Sequence, residues 1–170
     1  MSKLDSGVAA PDLQWHVLEE LIGVAVGRTR SHLAQHTVKV DLPADLPLLK
    51  VDGILLEQVL INLLENAAQY SPPGSRVDVS AAVEGAWLIV RVADNGPGLT
   101  PGTEEKVFEK FFRGVTHPDA RRGSGLGLAI CRAVVQLHGG TITAANRTSG
   151  GALFTIRLPL SSDAPHVRTD

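Results

Sequence analysis

Residues 52–70 constrain the fold more than any other stretch, because their apolar side chains repeat with the period of an α-helix. At about 100° per residue, these side chains share one helix face: Leu56, Leu60, Leu63, Leu64 and Ala67. Asp52 is suited to cap the first turn, and residues 71–74, with two prolines and a glycine, end the helix. A helix that is apolar along one face must pack against a second layer, which other parts of the chain have to supply.

The second layer is predicted to be a β-sheet, because several short stretches of the chain are apolar or alternate between apolar and polar residues. These stretches are residues 37–42, 48–51, 77–83, 87–92, 141–146 and 152–158. Residues 84 and 85 favour a hairpin between the third and fourth of them, and the last two form another hairpin. Two further helices are predicted, over residues 17 to about 36 and residues 126–137. The predicted fold is an α/β (α+β) two-layer sandwich, a mixed sheet with about three helices on one face.

Length and composition are those of a single globular domain, with 170 residues, a hydrophobic fraction of 44% and a formal net charge of −2. The near-neutral charge excludes a nucleic-acid binder that acts through bulk positive charge. A single cysteine, Cys131, excludes an internal disulfide and a thiolate zinc site. No apolar run reaches the roughly 18 residues of a membrane helix, so we expect a cytosolic domain. We expect residues 1–12 to be a flexible lead-in, residues 13–160 the folded domain and residues 161–170 a disordered tail.

The polar face of the 52–70 helix carries two asparagines, Asn62 and Asn66, which lie four residues apart on one stripe. Asparagine is a poor helix former, so two of them in mid-helix carry a cost in helix propensity. Glu65 and Gln69 flank the pair, and Tyr70 lies at its edge. An array of side-chain oxygens suits a hard cation such as Mg²⁺, whereas the alternative is a solvated helix face.

Two glycine-containing segments follow. Asp94 stands where a buried strand ends, and its carboxylate can accept a hydrogen bond from an exocyclic amine, although the sequence of residues 94–98 also suits a plain turn. Residues 123–127 carry three glycines directly before a helix, which makes an anion site suited to phosphates. They match neither the dinucleotide fingerprint nor a P-loop. The long glycine-, proline- and charge-rich segment between the two is typical of either a functional lid or a disordered loop, and we predict a lid over about residues 97–124.

In this order, the segments resemble the ATP-binding domain of sensor histidine kinases, within the wider family that includes gyrase, Hsp90 and MutL. The family's N, G1, F, G2 and G3 boxes match residues 62–70, 94–98, 107–113, 123–128 and 150–154. The resemblance covers about residues 13–160. Further blocks, residues 51–53, 59–66, 125–133 and 138–144, resemble the potassium-responsive sensor kinases in particular.

The resemblance implies a role for each matching residue. Asn66 is the implied principal Mg²⁺ ligand with Asn62 beside it, and Asp94 accepts the adenine amino group. The remaining implied nucleotide-binding residues shape the adenine pocket or meet the phosphates: Tyr70, Gly96, Gly98, Arg122 or Arg121, Gly123, Gly125, Leu126 and Gly127. Asn62, Glu65 and Arg113 are the candidate catalytic residues, with Arg113 neutralising the γ-phosphate. The implied cofactors are ATP and Mg²⁺.

Two departures from the family pattern affect the predicted function. Gln69 stands where many family members carry lysine, and each of the six histidines lacks the following acidic residue of the family's phosphoacceptor motif. We therefore expect a domain that binds Mg-ATP and phosphorylates a histidine on a separate dimerisation domain, with a response regulator as indirect partner. We expect no nucleic-acid partner and no direct membrane contact, and the resemblance implies potassium or osmotic sensing by a membrane-anchored parent.

Two alternatives remain open at the level of the sequence. The first is a self-contained ATPase of the gyrase or Hsp90 kind. Those enzymes place a glutamate base four residues before the N-box asparagine, and here that position is Asn62, which cannot act as a base. The second is a nucleotide-sensing module without catalysis, to which Gln69 gives some weight.

Overall fold

The computed structural model describes residues 10–110, 112 and 127–161, and every structural statement below refers to these residues. The described residues form three α-helices: α1 (Leu18–Arg28), α2 (Gly53–Tyr70) and α3 (Gly127–Leu137). A short 3₁₀-helix spans Lys106–Phe108. Within the described ranges, no helix combines the length and the apolar character needed to cross a membrane.

The strands form one large sheet and one small one. Their bounds are β1 (Gln14–His16), β2 (Thr37–Asp41), β3 (Leu49–Val51), β4 (Arg76–Glu84), β5 (Trp87–Ala93), β6 (Thr141–Asn146) and β7 (Ala152–Pro159). The large sheet has the order β2-β4-β5-β7-β6, and β1 pairs with β3. Strands β2 and β4 are parallel, and the other neighbours in the large sheet are antiparallel. The predicted α/β sandwich with a mixed sheet and three helices is confirmed, as are both predicted hairpins.

Helix α2 lies at the centre of the helical layer, between α1 and α3. Its predicted apolar face is buried, with Leu56, Leu60, Leu63, Leu64 and Ala67 each at most 2% exposed. Burying a leucine side chain contributes about 1.5–3 kcal/mol, so this face is a main source of the fold's stability. Asp52 caps the helix as predicted, because its Oδ1 accepts a hydrogen bond from the Leu55 amide at 3.2 Å.

Helix α1 ends at Arg28, eight residues before the predicted end. Thr29 follows it, and its hydroxyl donates to the carbonyls of Ala25 (2.9 Å) and Val26 (3.1 Å). A threonine that bonds back to the preceding turn competes with the helical hydrogen bonds, and the chain continues as turns up to residue 35. No strand pattern in the sequence predicts β1, because it is only three residues long. It pairs with β3 in the register Trp15↔Lys50.

Candidate functional site

A cavity lies where the C-terminal half of α2 meets the chain that leaves β5. It is lined by Asn66, Tyr70, Asp94, Gly98, Leu99, Thr100, Thr103, Val107, Phe112, Leu128, Ala152 and Phe154. Residues from the matched N, G1, F, G2 and G3 boxes therefore meet around one space, although they are spread over most of the chain. Asn66, Tyr70, Asp94 and Gly98 are the sequence-predicted site residues that line it.

Asp94 is the buried acidic group of this cavity, with 3% of its surface exposed. It follows β5 directly, and its Oδ1 accepts hydrogen bonds from the amides of Gly96 (2.8 Å) and Ala152 (3.2 Å). Burial raises the pKa of the Asp94 carboxyl, and these two bonds together with the charge of Arg147 offset part of that rise. Both described side-chain bonds use Oδ1, so Oδ2 is available to accept a hydrogen bond from a ligand.

The glycines after Asp94 are required by close approaches of the backbone. A Cβ at Gly96 would collide with the carbonyl oxygen of Tyr70, at the end of α2. Gly98 has a φ of +83°, and a Cβ there would lie 2.5 Å from Oδ1 of Asn146. Glycine at these two positions therefore lets the loop pass between α2 and the β6–β7 hairpin.

The two asparagines of α2 have different surroundings. Asn66 lines the cavity, and its side chain makes no hydrogen bond to any residue that the structure describes. Asn62 is not among the cavity-lining residues. Its Oδ1 accepts from Nε2 of Gln58 at 2.8 Å, and its Nδ2 donates to the carbonyl of Gly127 at 3.2 Å. Asn62 thus connects α2 to the first residue of α3.

Glu65 and Gln69 lie on α2 beside these asparagines but do not line the cavity. Oε2 of Glu65 is 3.7 Å from Nε2 of His32, and both side chains are largely exposed. The structure therefore brings Glu65 close to a histidine of the segment after α1 rather than to Asp94.

An aromatic contact joins the F box to Phe154, one of the cavity-lining residues. Phe108 is buried, and its ring meets that of Phe154 edge-on with the centroids 6.2 Å apart. The Arg132 guanidinium of α3 lies 4.3 Å from the centroid of the Phe108 ring and pairs with Glu105. These contacts attach the 3₁₀-helix to both layers of the fold.

Several sequence-predicted residues belong to parts of the chain outside the described ranges. They are Arg113, Arg121, Arg122, Gly123, Gly125 and Leu126. Gly127, the remaining predicted phosphate-binding residue, is the first residue of α3, and a Cβ built there would lie 3.9 Å from Cγ of Asn62. The lid predicted over residues 97–124 is described only over residues 97–110 and 112.

Sequence reasoning missed the residues behind the Asp94 loop. Nη1 of Arg147 donates to the Asp94 carbonyl and to Oδ1 of Asn95, both at 2.9 Å. The side chain of Asn146 pairs with the backbone of Leu99. A polar pair at the turn of a hairpin carries no sequence signal that distinguishes it from a solvated turn, so only the three-dimensional pairing reveals it.

The donor set of the cavity fits a magnesium ion that is held mainly by a nucleotide. Among the described residues, no group of three or more His, Cys, Asp or Glu side chains could hold a metal ion. Mg²⁺ is commonly bound through one or two protein oxygens together with substrate phosphates and waters. Asn66, with an uncommitted side-chain oxygen at the cavity, is the described residue that suits this role.

Comparisons with known proteins give a consistent family. The family model described as histidine kinase-, DNA gyrase B- and HSP90-like ATPase matches residues 51–162. The chain is 48% identical over 159 residues to sensor protein KdpD of Escherichia coli, covering 94% of this chain and 18% of that protein. It therefore spans about a fifth of the length of KdpD.

Two solved structures share the fold. The mycobacterial sensor histidine kinase MprB is 31% identical with a TM-score of 0.76, and the match covers 86% of this chain and 97% of that one. Full-length ShkA, solved in complex with AMPPNP, is 25% identical with a TM-score of 0.82, and the match covers 98% of this chain and 35% of that one. The chain therefore belongs to the histidine kinase-, DNA gyrase B- and HSP90-like ATPase family, as an ATP-binding catalytic domain of the sensor histidine kinase type.

Proposed function

We propose that this domain binds Mg-ATP and donates the γ-phosphate to a histidine on a separate dimerisation domain of a two-component sensor kinase. The observation that carries the proposal is the cavity in which the buried carboxylate of Asp94 faces the same space as Asn66 and Tyr70. The AMPPNP complex of the similar kinase ShkA supports a nucleotide as the occupant of this cavity.

The adenine end of the nucleotide belongs at Asp94. Its Oδ2 accepts a hydrogen bond from the adenine amino group, while Oδ1 keeps its two backbone donors. Gly96 keeps the loop close to α2, Gly98 keeps it close to the β6–β7 hairpin, and the Tyr70 side chain packs against the adenine ring. This arrangement favours adenine over guanine, because guanine carries an oxygen where adenine carries the amino group.

The phosphate end belongs near the start of α3. There the amide of Gly127 and those of Gly123 and Gly125, with Leu126 in the same segment, donate to phosphate oxygens. Arg113 and Arg122 neutralise phosphate charge in this proposal. Bound Mg²⁺ would supply further charge neutralisation, and Asn66 would hold it together with the phosphates.

The transfer step needs positioning and charge neutralisation more than covalent help from this domain. The attacking atom is an imidazole nitrogen of the partner's histidine. A hydrolytic ATPase would instead need a base for water at the position of Asn62. An amide cannot act as that base, and the Asn62 side chain is engaged with Gln58 and Gly127. Asn62 is accordingly assigned to the support of this region. Glu65 lies beside His32 and does not line the cavity, so it is not assigned to proton transfer either.

The decisive experiment mixes the purified domain with a separate dimerisation domain and γ-labelled ATP. We expect an acid-labile, base-stable phosphate on the histidine of the dimerisation domain, with Mg²⁺ required. The Asp94→Asn variant should give strongly reduced labelling at limiting ATP. ATP binding without any labelling would support the non-catalytic nucleotide sensor, and rapid phosphate release without labelling would support the ATPase.

The 48% identity to KdpD supports a finer proposal about the whole protein. We infer a membrane-anchored sensor kinase of potassium or osmotic stress, whose catalytic domain faces the cytoplasm and whose phosphohistidine supplies a response regulator. A chimeric KdpD that carries this domain in place of its own tests the inference. The chimera should phosphorylate the KdpD acceptor histidine in a potassium-dependent manner, and an inactive chimera with a folded, ATP-binding domain would contradict the inference.

A further inference from the structure

The corner between β6 and β7, defined here as residues 146–151, lies directly behind the loop of residues 94–99. Arg147 and Gly151 close the corner through a hydrogen bond of 2.8 Å between the Arg147 amide and the Gly151 carbonyl. Gly151 has a φ of +94°, and a Cβ there would collide with the Asp94 carbonyl oxygen. The corner and the loop are therefore packed backbone to backbone, with no room for a side chain between them.

Asn146 holds the far end of this loop. Its Oδ1 accepts from the Leu99 amide at 2.6 Å, and its Nδ2 donates to the Leu99 carbonyl at 3.1 Å. The side-chain amide thus pairs with both backbone groups of Leu99, as a neighbouring strand would. Leu99 itself lines the cavity, whereas Asn146 does not.

Arg147 holds the near end. Nη1 donates to the Asp94 carbonyl and to Oδ1 of Asn95, both at 2.9 Å. Nη2 lies 3.8 Å from Oδ2 of Asp78, whose Oδ1 is 2.9 Å from Nε of Arg76. The guanidinium is therefore fixed on one side by the loop and on the other by β4.

We propose that Asn146 and Arg147 are positioning residues that set how strongly and how selectively the 94–99 loop recognises adenine. Neither lines the cavity, so each acts through a residue that does: Asn146 through Leu99, and Arg147 through Asp94. The proposal rests on the function proposed above, because it assigns Asp94 to the adenine amino group.

Arg147 has a second effect through its charge. Its guanidinium lowers the pKa of the Asp94 carboxyl against the rise caused by burial. Among the described residues, the charged groups beside Arg147 are Asp78 and Arg76 of β4, and Asp78 pairs with both arginines. The phenol at the cavity is Tyr70 of α2. Removing Arg147 should therefore raise the Asp94 pKa further, and a protonated Asp94 is a poorer acceptor for the adenine amino group.

The test compares ATP and GTP binding by calorimetry for the wild-type domain and three variants. Arg147→Met and Asn146→Leu should each weaken ATP binding about 3- to 10-fold, the range expected for loss of hydrogen bonds that hold a recognition loop. GTP binding should change less, so the ATP-to-GTP preference falls. Arg91→Met is the matched control, because Arg91 of β5 pairs with Glu84 of β4 and makes no described bond to the loop.

The pH profile separates positioning from a general loss of structure. In Arg147→Met, ATP binding should weaken with acidification at a higher pH than in the wild type. Arg147→Lys keeps the positive charge but loses the two-point guanidinium contact. The pH at which acidification weakens ATP binding should therefore return to the wild-type value, whereas the ATP affinity should recover only in part. Thr148→Leu, at an exposed position of the same corner, should leave both quantities unchanged.

The outcomes are distinct. Wild-type protein that binds no ATP overturns the proposed function and this inference together. This inference alone is overturned if the wild type binds ATP and the folded variants Arg147→Met and Asn146→Leu keep its ATP-to-GTP preference and its pH dependence of ATP binding. If either variant unfolds, amide hydrogen exchange is measured in Asn146→Ser instead. Exchange should be faster at Gly96 and Leu99 but not in β4, and unchanged exchange at both residues would overturn the inference.

Discussion

Asp94 is the residue on which the proposed nucleotide recognition depends most. Asp94→Asn keeps one oxygen for the Gly96 and Ala152 amides but replaces the ligand-facing oxygen by an NH₂ group. Two donors would then face each other, and ATP binding should weaken by about 1–3 kcal/mol, the cost of a lost charge-assisted hydrogen bond. Calorimetric titration with ATP checks this, with Asp41→Asn at the exposed end of β2 as control. Equal affinities in folded wild type and variant would remove Asp94 from the site.

The same substitution should change the pH dependence of stability. Burial raises the Asp94 pKa above its ordinary value of 3.8, so the folded state binds this proton more tightly than the unfolded chain. The tighter binding of this proton stabilises the folded state. That stabilisation is fully present below pH 3.8 and is lost as the pH rises through the folded-state pKa of Asp94. The free energy of unfolding of wild type minus that of Asp94→Asn should therefore fall with rising pH across this window. Urea titrations between pH 3.5 and 7 measure it, and a difference that rises with pH would contradict the raised pKa.

Asn66 carries the proposed contact to Mg²⁺. Asn66→Ala deletes a side-chain oxygen at the cavity without breaking any hydrogen bond to a described residue, so the fold should keep its stability. The enhancement of ATP binding by Mg²⁺ should be largely lost, because the substitution removes the side-chain oxygen that is proposed to bind the ion. ATP titrations with Mg²⁺ and with EDTA measure the enhancement. Gln69→Ala, a neighbouring change on α2, is the control and should keep the Mg²⁺ effect. The assignment would be wrong if Asn66→Ala retained the full effect or if Gln69→Ala lost it instead.

At the scale of elements, two hydrogen bonds join α2 and α3. Asn62 bonds the Gly127 carbonyl, and one turn further the buried thiol of Cys131 donates to the Val59 carbonyl at 3.6 Å. Burial raises the pKa of Cys131 to about 12, so this group stays a thiol and packs rather than reacts.

This geometry predicts a structural effect for Asn62 that differs from that of Asn66. Asn62→Ala removes the bond to Gly127 and should lower the free energy of unfolding by about 1 kcal/mol, with faster amide exchange in the first turns of α3. Gln58→Ala, which loses only the exposed bond to Asn62, should change it by less than about 0.5 kcal/mol. Urea unfolding compares the three proteins. An unchanged free energy of unfolding in Asn62→Ala would show that the hydrogen bond between Asn62 and Gly127 does not stabilise α3.

The elements that could be predicted are those with a strong period. Helix α2 repeats its apolar residues over many positions, so its buried face is predicted residue by residue. The alternating stretches predict the two hairpins as elements. The early end of α1 depends on one threonine hydroxyl, and β1 depends on its pairing with β3, which is distant in sequence. Short strands and local side-chain competition leave no periodic signal, and these are the features that were missed.

At the scale of the whole molecule, the topology brings the boxes together. Asp94 at the end of β5 and Asn66 on α2 meet because α2 packs over the sheet and the residues after β5 pass its C-terminal end. Periodicity predicts α2 and the two hairpins as separate elements, whereas the resemblance to the kinases supplied the expectation that residues from them share one site. The supporting residues Asn146 and Arg147 stayed hidden, because their role exists only once the β6–β7 corner lies against the loop.

The histidines of the described chain are poorly placed to receive a phosphate. Nδ1 of His138 donates to the Val134 carbonyl at 2.8 Å, and its Nε2 accepts from the Asp52 amide at 3.0 Å. Nε2 of His36 donates to the Ser71 carbonyl at 3.2 Å. His16 lies against Gly53, where a Cβ would be 2.6 Å from its Cε1. In each case the imidazole is part of the packing of α2 and its neighbours.

The isolated domain should therefore bind ATP without phosphorylating itself. His32 is the exposed exception among the described histidines, but it lies beside Glu65, which does not line the cavity, and Leu33 follows it instead of an acidic residue. Incubation with γ-labelled ATP should leave the domain unlabelled after alkaline treatment, whereas an added dimerisation domain should become labelled under the same conditions. His32→Gln serves as the control for residual signal. Stoichiometric phosphohistidine on the domain alone would mean that the domain carries its own acceptor histidine and needs no separate dimerisation domain to supply one.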